Sequence, residues 1–414
     1  AVEEGRLTGP LAGATVVLKD NLCDRGHETS CGSRMLQGYR PPYTATAVQR
    51  LRDAGAIVLG RGNMDEFAMG STTETSCYGP TRNPHRPGHV PGGSSGGPAA
   101  AVAGGLAAFA LGSDTGGSIR QPASHCGVVG LKPTYGAVSR RGLVAYASSL
   151  DQIGPLAPTA RGCAAVLQAI AGRDAADSTS TQALLPAWEG QGMRPLSGCK
   201  LGLPRACFGS ALAQPVGEAV LAAAQRLETL GASLQEVELP SLPHAIPAYY
   251  ILCCAEAASN LARYDGVRYG YRAEAHDLEA LYTQSRSQSL GDEVKRRILW
   301  GNLTLLQEYA DAYYRKAQRV RALLRREVDE ALRQVDVLLL PVAPTTAPRL
   351  GESLANPIAM YEADRYTVLA NLCGLPALSF PCGWADGLPI GCQLMGPAGW
   401  DLRLLDLAAA YEEG

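Results

Sequence analysis

Residues 91–132 read PGGSSGGPAAAVAGGLAAFALGSDTGGSIRQPASHCGVVGLK and contain two serine sites flanked by glycine. The first is Ser94/Ser95 in GGSSGG and the second is Ser118 in DTGGS, with an alanine-rich segment between them. Glycine permits tight turns and lets a substrate approach the main chain, whose amides can stabilise a developing negative charge. A serine in such a turn, with a second serine and a lysine nearby, suits acyl transfer. A pair of flexible loops is the alternative interpretation.

The composition of the chain limits the functions that it can serve. Its 414 residues are 46% hydrophobic, enough for a substantial core, and its net charge is −2. With no basic run, the chain alone is a poor candidate for direct nucleic-acid binding. The 12 cysteines form no C-x-x-C pair and no signal peptide is evident, so we expect reduced thiols and a cytoplasmic protein. The longest apolar run, at 99–111, is too short to cross a membrane.

The order of apolar segments predicts the secondary structure. Residues 13–19 and 57–60 read as buried strands on either side of a helix at 44–55, which implies a parallel pair. Further strands are predicted at 128–132, 200–203, 233–239, 336–342, 378–381 and 390–395, and further helices at 63–71, 95–110, 118–124, 215–230 and from 402 onward.

This order predicts an α/β protein with a mixed central β-sheet covered by helices on both faces. We expect a single large domain that occupies residues 1–414. Its catalytic core spans about 10–240 and 335–414, and a helical insertion lies at about 244–333.

Other chemistries have weaker support in the sequence. GGSSGG satisfies the G-x-S-x-G pattern of a hydrolase nucleophile elbow, but that class needs a histidine late in the chain, and the last one is His276. His125, near Ser118, keeps this alternative open. The usual phosphate-binding glycine loops and metal-ligand spacings are missing. Lysine-assisted serine chemistry remains, with Lys19 at the end of an apolar strand, where burial would favour the neutral amine. A surface lysine is the alternative interpretation of Lys19.

Longer stretches of the sequence carry a resemblance to a known family. They are KDNLC at 19–23, NMDEFAMGS at 63–71, GSDTGGSIRQPA at 112–123, GLKPTYGAVSRRGLVAYASSLDQIGP at 130–155, SNLARYDGVRYG at 259–270, GDEVKRRI at 291–298, AYYRKAQRVR at 312–321 and NLCGLPALSFPCG at 371–383. With these residues the chain resembles the amidase signature family along nearly its whole length. Within that family it is similar to the glutamine-hydrolysing branch that serves tRNA-dependent amidotransferases. The resemblance implies the amidase signature fold.

The resemblance also implies roles for individual residues. Ser118 would be the acyl-forming nucleophile, Ser94 would follow a cis peptide bond and relay a proton, and Lys19 would be the base. The backbone amides of Thr115, Gly116 and Gly117 would receive the oxyanion.

The implied substrate is glutamine, whose side-chain amide is hydrolysed to ammonia. By resemblance, Asp364 would bind the α-ammonium, Arg297 the α-carboxylate, and Tyr249 would help to position the ligand. These charges suit the task, because arginine clamps carboxylates and aspartate accepts hydrogen bonds from ammonium.

The implied partners are two further chains, one GatB-like and one GatC-like. The first would bind the mischarged tRNA and activate it with ATP and Mg²⁺, and the second would brace the pair. We therefore expect no cofactor or metal in this chain. The alternative hypotheses are a stand-alone amidase acting on another small amide and a catalytically idle scaffold subunit.

The chain departs from the family pattern at several points. Pro98 stands where the family usually has a serine, and we expect it to be harmless in the first turn of a helix. His125 replaces a more usual aromatic residue. The N-terminal helices and C-terminal tail common in the family are expected to be missing.

Overall fold

The computed structural model describes residues 8–182 and 196–414, and within them ten strands form one sheet. The strands are β1 (Thr15–Lys19), β2 (Ile57–Gly62), β3 (Phe109–Asp114), β4 (Val129–Lys132), β5 (Gln152–Ala157), β6 (Lys200–Pro204), β7 (Ser233–Val237), β8 (Val337–Pro341), β9 (Ala377–Ala385) and β10 (Leu388–Met395). Their order across the sheet is β2-β1-β3-β5-β4-β9-β10-β8-β6-β7. Parallel pairs lie towards both edges and antiparallel pairs in the middle, so the sheet is mixed, as predicted.

Helices form most of the connections between the strands. They are α1 (Thr46–Asp53), α2 (Gly96–Ala103), α3 (Arg120–Cys126), α4 (Ala160–Ile170), α5 (Gln214–Thr229), α6 (Ala245–Leu261), α7 (Leu278–Ser289), α8 (Asp292–Leu305), α9 (Gln307–Ala310), α10 (Tyr314–Gln334), α11 (Glu352–Ala355), α12 (Pro357–Glu362), α13 (Val368–Cys373) and α14 (Asp401–Glu413). Helices α6 to α10 follow one another between β7 and β8, in the part of the chain where the sequence predicts a helical insertion. That these helices are an insertion into the catalytic core stays a prediction. Among residues 8–182 and 196–414, no helix combines the length and apolar character needed to cross a membrane.

Strand β8 shows why helices cover both faces of the sheet. Val337 and Leu339 point into one apolar core, which also contains side chains of α1, α4, α5 and α14. Leu338 and Leu340 point into a second core, built with α6, α10 and α13. Successive side chains of a strand alternate between the two faces, so an uninterrupted apolar strand requires helices on each side. The predicted fold class is confirmed.

The helix predicted at 95–110 is shorter than expected. Helix α2 ends at Ala103, and Gly104 and Gly105 follow, the latter with a φ of 70°. The chain then enters β3, which is buried throughout between β1 and β5. A run of small apolar residues fits a helix and a buried strand equally well, so the pattern alone did not reveal the change.

The prediction of a helix at 63–71 is wrong. Only a short 3₁₀ turn forms at Glu66–Ala68, and both Phe67 and Ala68 have positive φ. The Asp65 carboxylate does not cap the turn; it accepts hydrogen bonds from the more distant Thr72 and Thr73 amides, at 3.2 and 2.8 Å. This contact folds the segment into a loop instead of a helix.

A buried arginine joins α3 to the centre of the sheet. Arg120 is fully buried and donates to both carboxylate oxygens of Asp114, at 3.0 and 2.9 Å. It also donates to the Thr367 carbonyl, to Asn371 Oδ1 and to Gln393 Oε1. Burial opposes ionisation of Asp114, but the charge and hydrogen bonds of Arg120 outweigh it and lower the pKa of that carboxyl to about 2. The pair fixes the residues that follow β3.

Replacing Arg120 with methionine should be strongly destabilising, because it leaves the buried Asp114 without its cation. We expect Arg120→Met to lower the free energy of unfolding by about 3–5 kcal/mol in urea denaturation. The matched control is Arg333→Met, which removes an exposed partner of Glu330 and should have little effect. Equal effects of the two substitutions would contradict the assigned role of Arg120.

Candidate active site

Lys19 lies at the last position of β1 and has no solvent exposure. Its Nζ donates to Ser94 Oγ at 2.7 Å and to the Ser113 carbonyl at 3.1 Å. Burial lowers the pKa of Lys19 to about 7, and this effect is only partly opposed by the nearby carboxylates of Asp65 and Asp114. A neutral amine is therefore well populated near neutral pH and is already hydrogen-bonded to a serine.

Ser94 lies in a tightly packed turn, and the Gly93–Ser94 peptide bond is cis, as the resemblance implies. Gly93 donates its amide to Gln121 Oε1 at 2.8 Å. A Cβ atom at this position would lie 2.1 Å from Asp65 Oδ2, so only glycine fits. The Asp65 amide in turn donates to the Ser94 carbonyl at 3.3 Å. These contacts orient the Ser94 hydroxyl towards Lys19.

Ser118 lies two residues before α3 and is joined to the first serine site through the backbone. Its carbonyl accepts a hydrogen bond from the Ser95 amide at 3.1 Å, and the residue is 8% exposed. Within the described part of the chain, no hydrogen bond connects the Ser94 and Ser118 hydroxyls. The structure therefore contains the Lys19–Ser94 half of the expected relay, and the Ser94–Ser118 half stays a prediction.

The loop Thr115–Gly117 is held by contacts with side chains on three sides. Thr115 Oγ1 donates to Asp151 Oδ1 at 2.6 Å, and the Gly117 amide donates to Asp114 Oδ1 at 2.9 Å. A Cβ atom on Gly116 would lie 2.4 Å from the Tyr249 hydroxyl. Among hydrogen bonds of residues 8–182 and 196–414, none uses the Thr115 or Gly116 amide as donor. Those two amides are free to receive an oxyanion, whereas the Gly117 amide is occupied.

Asp364 is buried close to this loop and accepts two hydrogen bonds. Ser71 Oγ donates to Asp364 Oδ1 and the Tyr250 hydroxyl donates to Oδ2, both at 2.9 Å. Burial raises the pKa of Asp364 to about 7. A cation that reaches this carboxyl would favour its ionised form.

Arg297 lies on the inner face of α8 and is almost fully buried. Its Nε donates to Glu293 Oε1 at 2.7 Å and its Nη1 to the Tyr146 hydroxyl at 2.6 Å. The guanidinium carbon lies 5.2–5.7 Å from the ring centres of Tyr146, Tyr250 and Tyr361. Among the residues described, Nη2 donates no hydrogen bond, which leaves one edge of the guanidinium for an anion.

Tyr249 connects the serine sites to Asp364 and Arg297, which together form a charged cluster. It packs against Gly116 on one side and forms an edge-to-face contact with Tyr250 on the other, with ring centres 5.0 Å apart. The structure therefore brings all nine predicted site residues into one region. The region holds the Lys19–Ser94 pair and Ser118 at one end, and the Arg297 guanidinium and the Asp364 carboxyl at the other.

Sequence reasoning missed several residues of this region: Asp65, Ser71, Tyr146, Asp151, Tyr250, Glu293 and Thr367. Ser71 and Asp364 are 293 positions apart in the chain, so no local spacing indicates their contact. Glu293 was detectable in part, because it lies four residues before Arg297, the spacing of an ion pair on one face of a helix.

The departures from the family pattern at Pro98 and His125 leave this region intact. Pro98 lies in the first turn of α2 and packs on Gly62, as expected. His125 is buried, and burial lowers the pKa of its ring to about 4. No hydrogen bond within the described residues connects that ring to Ser118, so a serine–histidine pair has no geometric support. The same residues contain no group of three His, Cys, Asp or Glu side chains that could hold a metal ion.

Comparisons with known proteins identify the family to which the chain is similar. The family model described as Amidase matches residues 1–405. The A subunit of the glutamyl-tRNA(Gln) amidotransferase of Lachnospira eligens is 54% identical over 414 residues, covering 100% of this chain and 86% of the relative. That of Synechococcus sp. (strain RCC307) is 56% identical over 407 residues, covering 98% and 84%. The crystal structure of the corresponding A subunit from Thermotoga maritima superposes with a TM-score of 0.85 at 42% identity, covering 98% of this chain and 84% of that one.

The reactivity of Ser118 should depend on the charge of Lys19. A sulfonyl fluoride, which traps activated serines, should label Ser118 about tenfold faster at roughly pH 8 than at pH 6, because only the neutral amine accepts the proton. The rate, followed by mass spectrometry, should lose this rise in Lys19→Met. A rate in the native chain that is flat over the same range would contradict the assignment of Lys19 as base.

Proposed function

The chain belongs to the amidase signature family, and from this we propose that it is the glutamine-hydrolysing subunit of a tRNA-dependent amidotransferase. The observation that carries the proposal is the 2.7 Å hydrogen bond between the buried Lys19 amine and Ser94. Lysine can serve as a general base only when it is neutral, and burial provides that condition near pH 7.

The reaction begins when Ser118 Oγ attacks the side-chain carbonyl carbon of glutamine. The serine proton passes through Ser94 to Lys19, and the charge on the carbonyl oxygen is stabilised by the Thr115 and Gly116 amides. The Gly117 amide contributes only if it leaves Asp114. The carbon–nitrogen bond then breaks, and the proton returns through Ser94 to the departing nitrogen as ammonia forms. Water hydrolyses the glutamyl ester, which releases glutamate and restores Ser118.

The charged cluster recognises the amino-acid end of the substrate. Asp364 accepts hydrogen bonds from the α-ammonium, whose charge would keep the carboxyl ionised despite its burial. Arg297 binds the α-carboxylate through Nη2, because Glu293 already occupies Nε and Tyr146 occupies Nη1. Tyr249 separates this end from the reacting amide, because it contacts both Gly116 and Tyr250.

The rest of the reaction belongs to partner subunits. The relatives are themselves named as one subunit of an amidotransferase, which implies that further subunits exist. We propose a cytoplasmic heterotrimer in which a GatB-like subunit binds mischarged Glu-tRNA(Gln), or Asp-tRNA(Asn), and activates it with ATP and Mg²⁺. A GatC-like subunit braces the pair. A near-neutral chain without a phosphate-binding loop suits this division of labour.

Substituting the nucleophile should separate the two half-reactions. In the assembled enzyme, we expect Ser118→Ala to reduce glutamine-dependent transamidation by about 10³-fold or more while ammonium-dependent transamidation continues. Lys19→Ala should be about as damaging, and the double variant no worse, because members of one catalytic unit act together.

The exposed Ser287→Ala on α7 is the matched control and should retain both activities. Equal loss of both activities in Ser118→Ala would contradict the separation of sites. A chain that hydrolyses other small amides far better than glutamine would favour a stand-alone amidase instead.

A further inference from the structure

Asp151 is a buried carboxylate that has no role in the reaction proposed above. It lies directly before β5 and is 2% exposed. Its Oδ1 accepts a hydrogen bond from Thr115 Oγ1 at 2.6 Å. Its Oδ2 accepts two more, from the Tyr146 amide at 2.9 Å and the Ala147 amide at 3.1 Å. One carboxylate thus joins two separate loops.

The first of these loops carries the oxyanion-binding amides. Strands β3 and β5 pair in register with Asp114 opposite Gln152, so Thr115 leaves the sheet beside Asp151. The contact between the two side chains therefore fixes the first residue of the loop. Charge-assisted hydrogen bonds of this kind are short and resist displacement.

The second loop carries the tyrosine that orients the guanidinium. Asp151 holds the backbone of Tyr146, and the Tyr146 hydroxyl lies 2.6 Å from Arg297 Nη1. The chain of contacts from Thr115 through Asp151 and Tyr146 to Arg297 connects the reacting end of the site to the end that binds the amino acid.

We propose that Asp151 is a positioning residue that fixes the spacing between the oxyanion loop and Arg297, and so selects glutamine over asparagine by side-chain length. The inference rests on the proposed function. The two amino acids differ by one methylene, which places the asparagine amide short of the oxyanion loop when its carboxylate is bound. In hydrophobic pockets one methylene alone gives roughly 10–200-fold discrimination, and we expect a preference of that order here.

Asp151 also acts on the base through its charge. Lys19 lies near three buried carboxylates, Asp65, Asp114 and Asp151, which in their ionised forms favour the protonated amine. The nearby Cys31 thiol is kept neutral by burial, which raises its pKa. Burial raises the pKa of Asp151 itself to about 6, so the carboxyl is ionised above that pH, and removing this charge should lower the pKa of Lys19 further. The acid limb of kcat/KM should then move to lower pH, an effect that loss of packing alone would not produce.

The test compares Asp151→Asn, Thr115→Val and Thr115→Ser in the assembled enzyme, with glutamine and asparagine as substrates. Asp151→Asn and Thr115→Val should each raise KM for glutamine and reduce the preference for glutamine over asparagine by about tenfold. Their effects should not add, because both variants alter the same Thr115–Asp151 contact, in which asparagine can only replace the charged acceptor with a neutral amide. Thr115→Ser, which keeps the hydroxyl, should retain the native preference. Only Asp151→Asn should shift the acid limb.

The control is Asp53→Asn, which makes the same chemical change on an exposed helical residue. An Asp151→Asn enzyme with native KM, native preference and native pH profile would overturn the inference and leave the proposed function standing. If Asp151→Asn fails to fold, the preference of Thr115→Val for glutamine over asparagine decides, and a native preference would overturn the inference. A native complex without glutaminase activity would overturn the proposed function, and this inference with it.

Discussion

Burial of the Lys19 amine beside Ser94 is the constraint on which the rest of the structure depends. Loss of hydration lowers the pKa of this lysine to about 7, although three carboxylates around it act in the opposite direction. Desolvation therefore exceeds the combined charge effect. Moving Lys19 one position along β1 would turn its side chain to the other face of the sheet, so the strand register itself determines where the base lies.

The carboxylates near Lys19 serve mainly to hold backbone in place. Asp65 accepts hydrogen bonds from the Thr72 and Thr73 amides, and Asp114 from the Gly117 amide. Each buried charge is compensated by donors, as Asp114 is by Arg120. The groups that order the loops around the serines thus also set how readily Lys19 gives up its proton.

The fold class and most strands could be predicted from the pattern of apolar residues, whereas the roles of Tyr249, Arg297 and Asp364 came only from the family resemblance. An apolar run such as Val337–Pro341 can be recognised from a short stretch of sequence. The motifs around Ser94 and Ser118 can be recognised in the same way, because each consists of neighbouring residues. Contacts such as Ser71 with Asp364 depend on how distant loops meet, and no pattern within a segment encodes that. The early end of α2 and the loop after Asp65 were missed because tertiary hydrogen bonds and burial outweighed local preference.

Direct titration of Lys19 tests the central claim. The lysines lie at positions 19, 132, 200, 295 and 316, so a chain labelled with ¹³Cε,¹⁵Nζ-lysine gives few signals. Burial lowers the pKa of Lys132 to about 7 as well, so Lys19→Met and Lys132→Met variants are needed for assignment. The account predicts a midpoint near pH 7 for Lys19. A midpoint near 10.5, the usual value for lysine, would contradict it.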